Sequence, residues 1–311
     1  MPVIRINAVG TKPVLHKSPR CAAAELERVD PGKGPVIVMI HGFKYKPGDP
    51  RHCPHRKIMA LDPETGPFCS PSWPRQLGFG TGHATEGLAI AFGWQSRAGL
   101  RQARTNAIAA GTALADVLQR LNAQNPDRAV HIIAHSLGSE VALEALHHVP
   151  AGTVSRMISM TGASFQNRAR QAMQTEGGHQ TELINVTSRE NDAFDFMFEC
   201  LTSPFRPGDR AMGQGVDHPN AVTLQLDCPH TLQYLNGLGA PLGVPDRRIC
   251  HWSSYTRPGI LRFYNRLLRH PEAFPLEALR HGLPQLQTPR WSRLVRMPVL
   301  RTPLPFVQKA S

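Results

Sequence analysis

The chain has 311 residues, 41% hydrophobic and 19% charged, with 28 prolines, a balance that suits a globular protein with long irregular connections and excludes a disordered or fibrous one. Its formal charge of +12 suggests a polyanion-binding protein, yet five Arg and one Lys with no Asp or Glu lie between Arg280 and the C-terminus, so about half of the excess sits in one Pro-rich stretch. No nucleic-acid motif accompanies that charge; it reads as a solvated basic tail that binds no specific nucleic acid and makes at most weak contact with anionic membranes.

The six cysteines include no C-x-x-C pair, so neither a disulfide framework nor a redox motif is expected. The N-terminal residues lack the basic start and apolar run of a signal peptide. No window approaches the roughly 18 apolar residues of a membrane span. The expectation is a cytoplasmic protein with an α/β domain over residues 1–270 and a basic, Pro-rich extension over 271–311.

Along the chain, residues 3–9 alternate as a half-exposed strand does and are an edge-strand candidate. Residues 36–40 are five consecutive apolar residues, the mark of a central strand buried on both faces, and His41-Gly42-Phe43 follow directly. Between residues 44 and 87 stand seven prolines and, from Gly78 on, four glycines, which no uninterrupted helix tolerates. This stretch is expected to be a long insertion lining the mouth of a site. It holds His52, Cys53, His55 and Cys69, whose spacing matches no standard zinc site, and no metal is expected.

Residues 87–94 form another buried strand, with Trp94 and Ser96 at its end, near where a substrate sits. From Leu100 to Leu121, apolar residues recur every three or four positions, predicting an amphipathic helix of about seven turns that supplies a crossover between parallel strands. Then comes the segment around which the chain is organised. The buried run Val130, Ile132, Ile133 breaks at Ser136, and a helical pattern in Val141, Ala142, Ala145 and Leu146 begins at once. A serine at such a break is forced into a tight turn that needs small neighbours, and Ala134 and Gly138 supply them as Ala-x-Ser-x-Gly.

Further strands are expected at residues 154–161, 182–187 and 221–226, with a short helix over 163–173. The 182–187 strand runs into Ser188-Arg189-Glu190-Asn191-Asp192. Residues 193–220, with Phe194, Phe196 and Phe198, form either a small lid or acyl-binding wall, or a helix that packs its aromatics inward. His251 precedes a helix through Ile260, Phe263, Tyr264 and Leu267.

The strand, turn and helix around Ser136 resemble the nucleophile elbow of the α/β-hydrolase superfamily, and the Trp-x-Ser strand end followed by a long helix resembles one bacterial branch of it. The resemblance implies an α/β-hydrolase fold, a mostly parallel sheet flanked by helices. It implies Ser136 as nucleophile, His251 as base with His218 and His230 as alternatives, and Asp192 as the acid, with Glu190, Asp195 and Asp227 as rivals. The backbone N–H groups of Leu137 and Phe43 would form the oxyanion hole. Trp94, Trp252 and His135 would face substrate. The implied activity is that of a serine carboxylesterase, without a cofactor, acting on a small-molecule or lipid ester. A lipase, phospholipase or acyltransferase on the same residues is the alternative, and a non-catalytic binding protein using the basic tail is the alternative from another class. No assembly state is implied.

Overall fold

Eight short runs build one sheet: β1 (Val3–Val9), β2 (Lys12–Leu15), β3 (Val36–Ile40), β4 (Leu88–Gly93), β5 (Val130–His135), β6 (Arg156–Met160), β7 (Glu182–Thr187) and β8 (Ala221–Gln225). The structure is a computed structural model and describes residues 3–29, 33–64, 70–202 and 207–284. Strand order is β2-β1-β4-β3-β5-β6-β7-β8. Every pairing is parallel except the β1–β2 hairpin. The chain therefore has the α/β-hydrolase architecture expected of it, with one difference at the margin. β2 takes the edge and β1 lies inside it, because Lys-Pro-Val-Leu turns back on β1 as a short, partly exposed strand.

Helices cover both faces. On one lie α1 (Ala22–Arg28), α3 (Leu100–Gln124), α4 (Gly138–Leu146) and α5 (Gln166–Met173). On the other lie α2 (Trp73–Gln76), α7 (Pro229–Gly237), α8 (Ser253–Thr256), α9 (Ile260–Arg269) and α10 (Leu276–Gly282). α6 (Asp192–Leu201) follows β7 and joins the first layer through Phe198. The strand period of two explains the division: Val36, Val38 and Ile40 of β3 point into the first layer, Ile37 and Met39 into the second. Such strands must be apolar throughout, as β3 is.

The α3 helix has the predicted length, and its small residues allow close packing on α4. A Cβ at Gly111 would overlap the Glu144 side chain. The insertion after β3 differs from expectation. Ile58, Met59, Trp73, Leu77 and Phe79 are essentially inaccessible and belong to the second layer, where Trp73 meets Tyr255 edge-on at 5.3 Å. Arg269 from α9 lies over Phe79 and donates to the Leu77 carbonyl. These side chains serve as core rather than as the wall of a cleft.

The extension after residue 270 begins as packed structure, with Leu276 and Leu279 of α10 buried in the second layer. Its remainder, with Trp291, Leu294, Val295, Phe306 and most of the basic residues, lies outside the described residues, as does Cys69. No helix among the described residues is long and apolar enough to cross a membrane.

Candidate active site

Ser136 stands between β5 and α4 with φ of +53°. A left-handed conformation costs a non-glycine residue about 1–3 kcal/mol and persists only where its surroundings over-determine it. Here its N–H donates to the Met160 carbonyl, and its own carbonyl accepts from Ser139 N and Ala163 N, each at 3.0 Å. Leu137 follows as the first cap of α4, where backbone N–H groups face the positive end of the helix. The loop after β3 comes in beside the serine. A Cβ on Gly42 would stand 2.7 Å from Ser136 Cβ and 2.8 Å from His135 Nδ1, so only glycine allows this approach.

His251 arrives from the segment before α8. Its Nε2 lies 2.8 Å from Ser136 Oγ. Its carbonyl is held by His135 Nε2 at 3.1 Å and by the Thr161 hydroxyl at 3.3 Å, while Phe194 of α6 stacks on its ring with centroids 4.7 Å apart. Enclosure of the ring, and secondarily its neighbour His135, pushes its pKa well below the ordinary histidine value. The ring is therefore neutral near pH 7.

The third partner differs from the expectation. His251 Nδ1 faces Asn191 Oδ1 at 2.6 Å, not the adjacent Asp192. The cause is helical phase. Residues 189–191 form a single tight turn after β7, and Asp192 opens α6, about 100° further round the helix axis than Asn191. Asp192 is buried at the start of that helix. The three rival carboxylates hold the same loop in place. Glu190 pairs with Arg257 from the end of α8, and its carbonyl accepts from Cys250 N at 2.8 Å. Asp227 accepts from Arg189 N at 2.9 Å. Asp195 accepts from Asn191 Nδ2 at 3.0 Å. Nothing in the sequence distinguished Asn191 except its place between two carboxylates, Glu190 and Asp192. The signal that could have found it is that an amide can replace the acid behind a catalytic imidazole.

Other expected site residues fall into two groups. Phe43, half-buried, follows Gly42 directly, and Trp252 is half-exposed with its ring 6.3 Å from that of His251. Trp94, expected to face substrate, is instead fully buried. It stacks on His41 at 5.5 Å and donates Nε1–H to the His41 carbonyl, because the end of β4 runs beneath the loop that follows β3. His135, also expected to face substrate, is buried between His251 and Tyr255, with a pKa lowered by burial to about 4. His41 accepts from Trp94 N on Nε2, so its proton sits on Nδ1, which donates to the Gly42 carbonyl at 2.8 Å. That bond turns the Gly42 carbonyl away and sets the attitude of the next N–H, that of Phe43. His218 accepts from Asn220 N and His230 is exposed on α7; neither is brought to Ser136.

In the insertion, His55 Nε2 meets Asn7 at 2.6 Å and His52 meets Asp49 at 3.0 Å. Among the described residues no group of three His, Cys, Asp or Glu is placed to hold a metal.

A mostly parallel sheet with helices on both faces, a serine at a strained strand-to-helix turn and a histidine delivered after the last strand define the class of architecture: the chain has an α/β-hydrolase fold. More narrowly, residues 24–167 match the family model described as "Alpha/beta hydrolase of unknown function (DUF900)". That match spans β3 through the start of α5 and includes Gly42, Phe43 and Ser136, but neither Asn191 nor His251. A comparison with curated proteins finds no match. Among solved structures, an acetylxylan esterase at 0.90 Å resolution is 13% identical over 64% of this chain and 85% of its own, with a TM-score of 0.32. An iodinated complex of acetylxylan esterase is likewise 13% identical over 63% and 84%, with a TM-score of 0.32.

Proposed function

We propose that the protein is a serine hydrolase that cleaves an ester bond of an apolar acyl substrate through an acyl-enzyme. The observation that supports the reading most is the 2.8 Å approach of His251 Nε2 to Ser136 Oγ at a turn whose backbone is strained. In this reaction the neutral imidazole takes the hydroxyl proton as the oxygen attacks the ester carbonyl. It then returns that proton to the leaving alcohol, and water releases the acyl group by the same sequence. The N–H groups of Leu137 and Phe43 face the developing oxyanion, each worth roughly 3–4 kcal/mol in comparable sites. Asn191 holds the imidazole in place of a carboxylate.

An apolar acyl group is favoured by what surrounds His251. Phe194 lies on its ring, and Trp252, Ile249, Met197 and Leu201 are 51%, 51%, 47% and 48% exposed on nearby segments. The same exposed side chains favour, as a second reading, a lipid ester whose chain extends across this rim. Initial rates on p-nitrophenyl esters from acetyl to palmitoyl test both. A simple esterase peaks at short chains and a lipid esterase at long ones, while Ser136→Ala lowers turnover by several orders of magnitude in either case. Undiminished turnover in that variant contradicts the reading.

A further inference from the structure

Behind His251 stands a neutral amide, and behind the amide stands a carboxylate. Asn191 Nδ2 donates to Asp195 Oδ1 at 3.0 Å, with both residues buried. They are four residues apart, so at the start of α6 they stack on one face, one above the other. The carboxylate occupies a slot against the turn at residue 213, where any Cβ would overlap Asp195 Oδ2, and the Gly213 carbonyl is tied to the Thr187 hydroxyl at 2.7 Å.

The consequence follows from donor and acceptor chemistry. Asp195 Oδ1 takes the NH2 end of Asn191, which leaves the amide oxygen for His251. A carbonyl oxygen only accepts, so His251 must carry its proton on Nδ1. Nε2 is then left with its lone pair toward Ser136 Oγ. We propose that Asp195 is a positioning residue that, through Asn191, selects the reactive tautomer of His251 and carries the charge that steadies the imidazolium. The array is Ser136–His251–Asn191–Asp195, with the acid one amide removed from the ring. The inference rests on the reading of Ser136 and His251 as nucleophile and base.

Asp195→Asn keeps shape and burial but removes the preference, since two facing amides pair in either orientation. The test compares the wild-type chain, Asp195→Asn and the exchange Asn191→Asp/Asp195→Asn in p-nitrophenyl ester kinetics, with thermal melts on each. The expected result is a kcat roughly 10- to 100-fold lower in Asp195→Asn with KM within about twofold, and recovery of most of it in the exchange variant, whose carboxylate accepts from Nδ1 directly. A second readout is independent of turnover: in 15N-resolved NMR, wild-type His251 shows a low-field Nδ1–H proton, assigned by its loss in His251→Gln, which disappears in Asp195→Asn. An unchanged kcat in Asp195→Asn overturns the proposal. So does a loss that the folded exchange variant does not recover, or an Nε2–H tautomer in the wild type. Absence of wild-type turnover overturns instead the hydrolase reading, and the NMR comparison still decides the role of Asp195.

Discussion

Glu190→Gln tests how the site is held together. The Glu190 and Arg257 side chains are 4% and 3% exposed, and their ion pair lies where three segments meet. Ser188 donates its hydroxyl to the same Glu190 oxygen that Arg257 uses, Arg257 also donates to the Leu226 carbonyl, and Cys250 N donates to the Glu190 carbonyl. The pair thus joins the loop that carries Asn191, the end of β8 and the segment that carries His251. Removing one charge leaves the Arg257 guanidinium buried without its counter-ion, which costs about 3–5 kcal/mol in comparable pairs. At about 2–4 °C per kcal/mol for a domain of this size, the melting temperature falls by about 6–20 °C. Circular-dichroism melts of Glu190→Gln, and of the closed cycle Glu190→Leu, Arg257→Met and Glu190→Leu/Arg257→Met, give the cost of the stranded charge and the coupling. The double variant is expected to melt nearer the wild type than either single variant, because two apolar side chains leave no charge stranded. Single variants that melt within about 2 °C of wild type, or a double variant whose loss is the sum of the two, refute the reasoning.

Two further outcomes follow from the same packing. Burial lowers the pKa of His41 to about 3 and of His131 and His135 to about 4, and holds that of His251 well below its ordinary value. The unfolded chain therefore binds more protons than the folded one below about pH 6.5, and stability that is complete above that pH is lost as pH falls toward 4, at about 1.4 kcal/mol per pH unit for each such histidine. Urea midpoints measured from pH 8 to 4.5 should fall steeply below pH 6.5, less so in His131→Gln; a flat profile contradicts this. Gly42→Ala places a Cβ 2.7 Å from that of Ser136, so the loop bearing Phe43 must move. Ester turnover should drop about 100-fold, the effect of losing one oxyanion donor, in protein that circular dichroism shows to be folded, and near-normal turnover argues against that donor.

How far the sequence spoke for itself differs between sheet and site. β3 was legible to the residue because a strand covered on both faces is apolar along its length, and β7 because Leu183, Ile184 and Val186 form a short, largely β-branched apolar run. β2, α1, α7 and α10 were not, since four to nine partly exposed residues carry no period strong enough to read. Ser136 was legible because it stands at a break between a buried strand and a helix, and His251 because the resemblance places a histidine after the last strand and ahead of the final helices. The residue behind His251 was not: Asn191 and Asp192 differ by one step of helical phase, and only three-dimensional placement shows which of them meets the ring. Trp94 misled for a related reason. Its position at a strand end suggested exposure to substrate, whereas the loop from β3 folds over it.

The central claim is that Ser136 is a nucleophile activated by His251. Labelling the folded protein with a fluorophosphonate probe and mapping the modified peptide by mass spectrometry tests it most directly. The account predicts a single adduct on Ser136, absent in Ser136→Ala and strongly slowed in His251→Gln. A folded wild-type protein that takes no label, or takes it elsewhere, would contradict it.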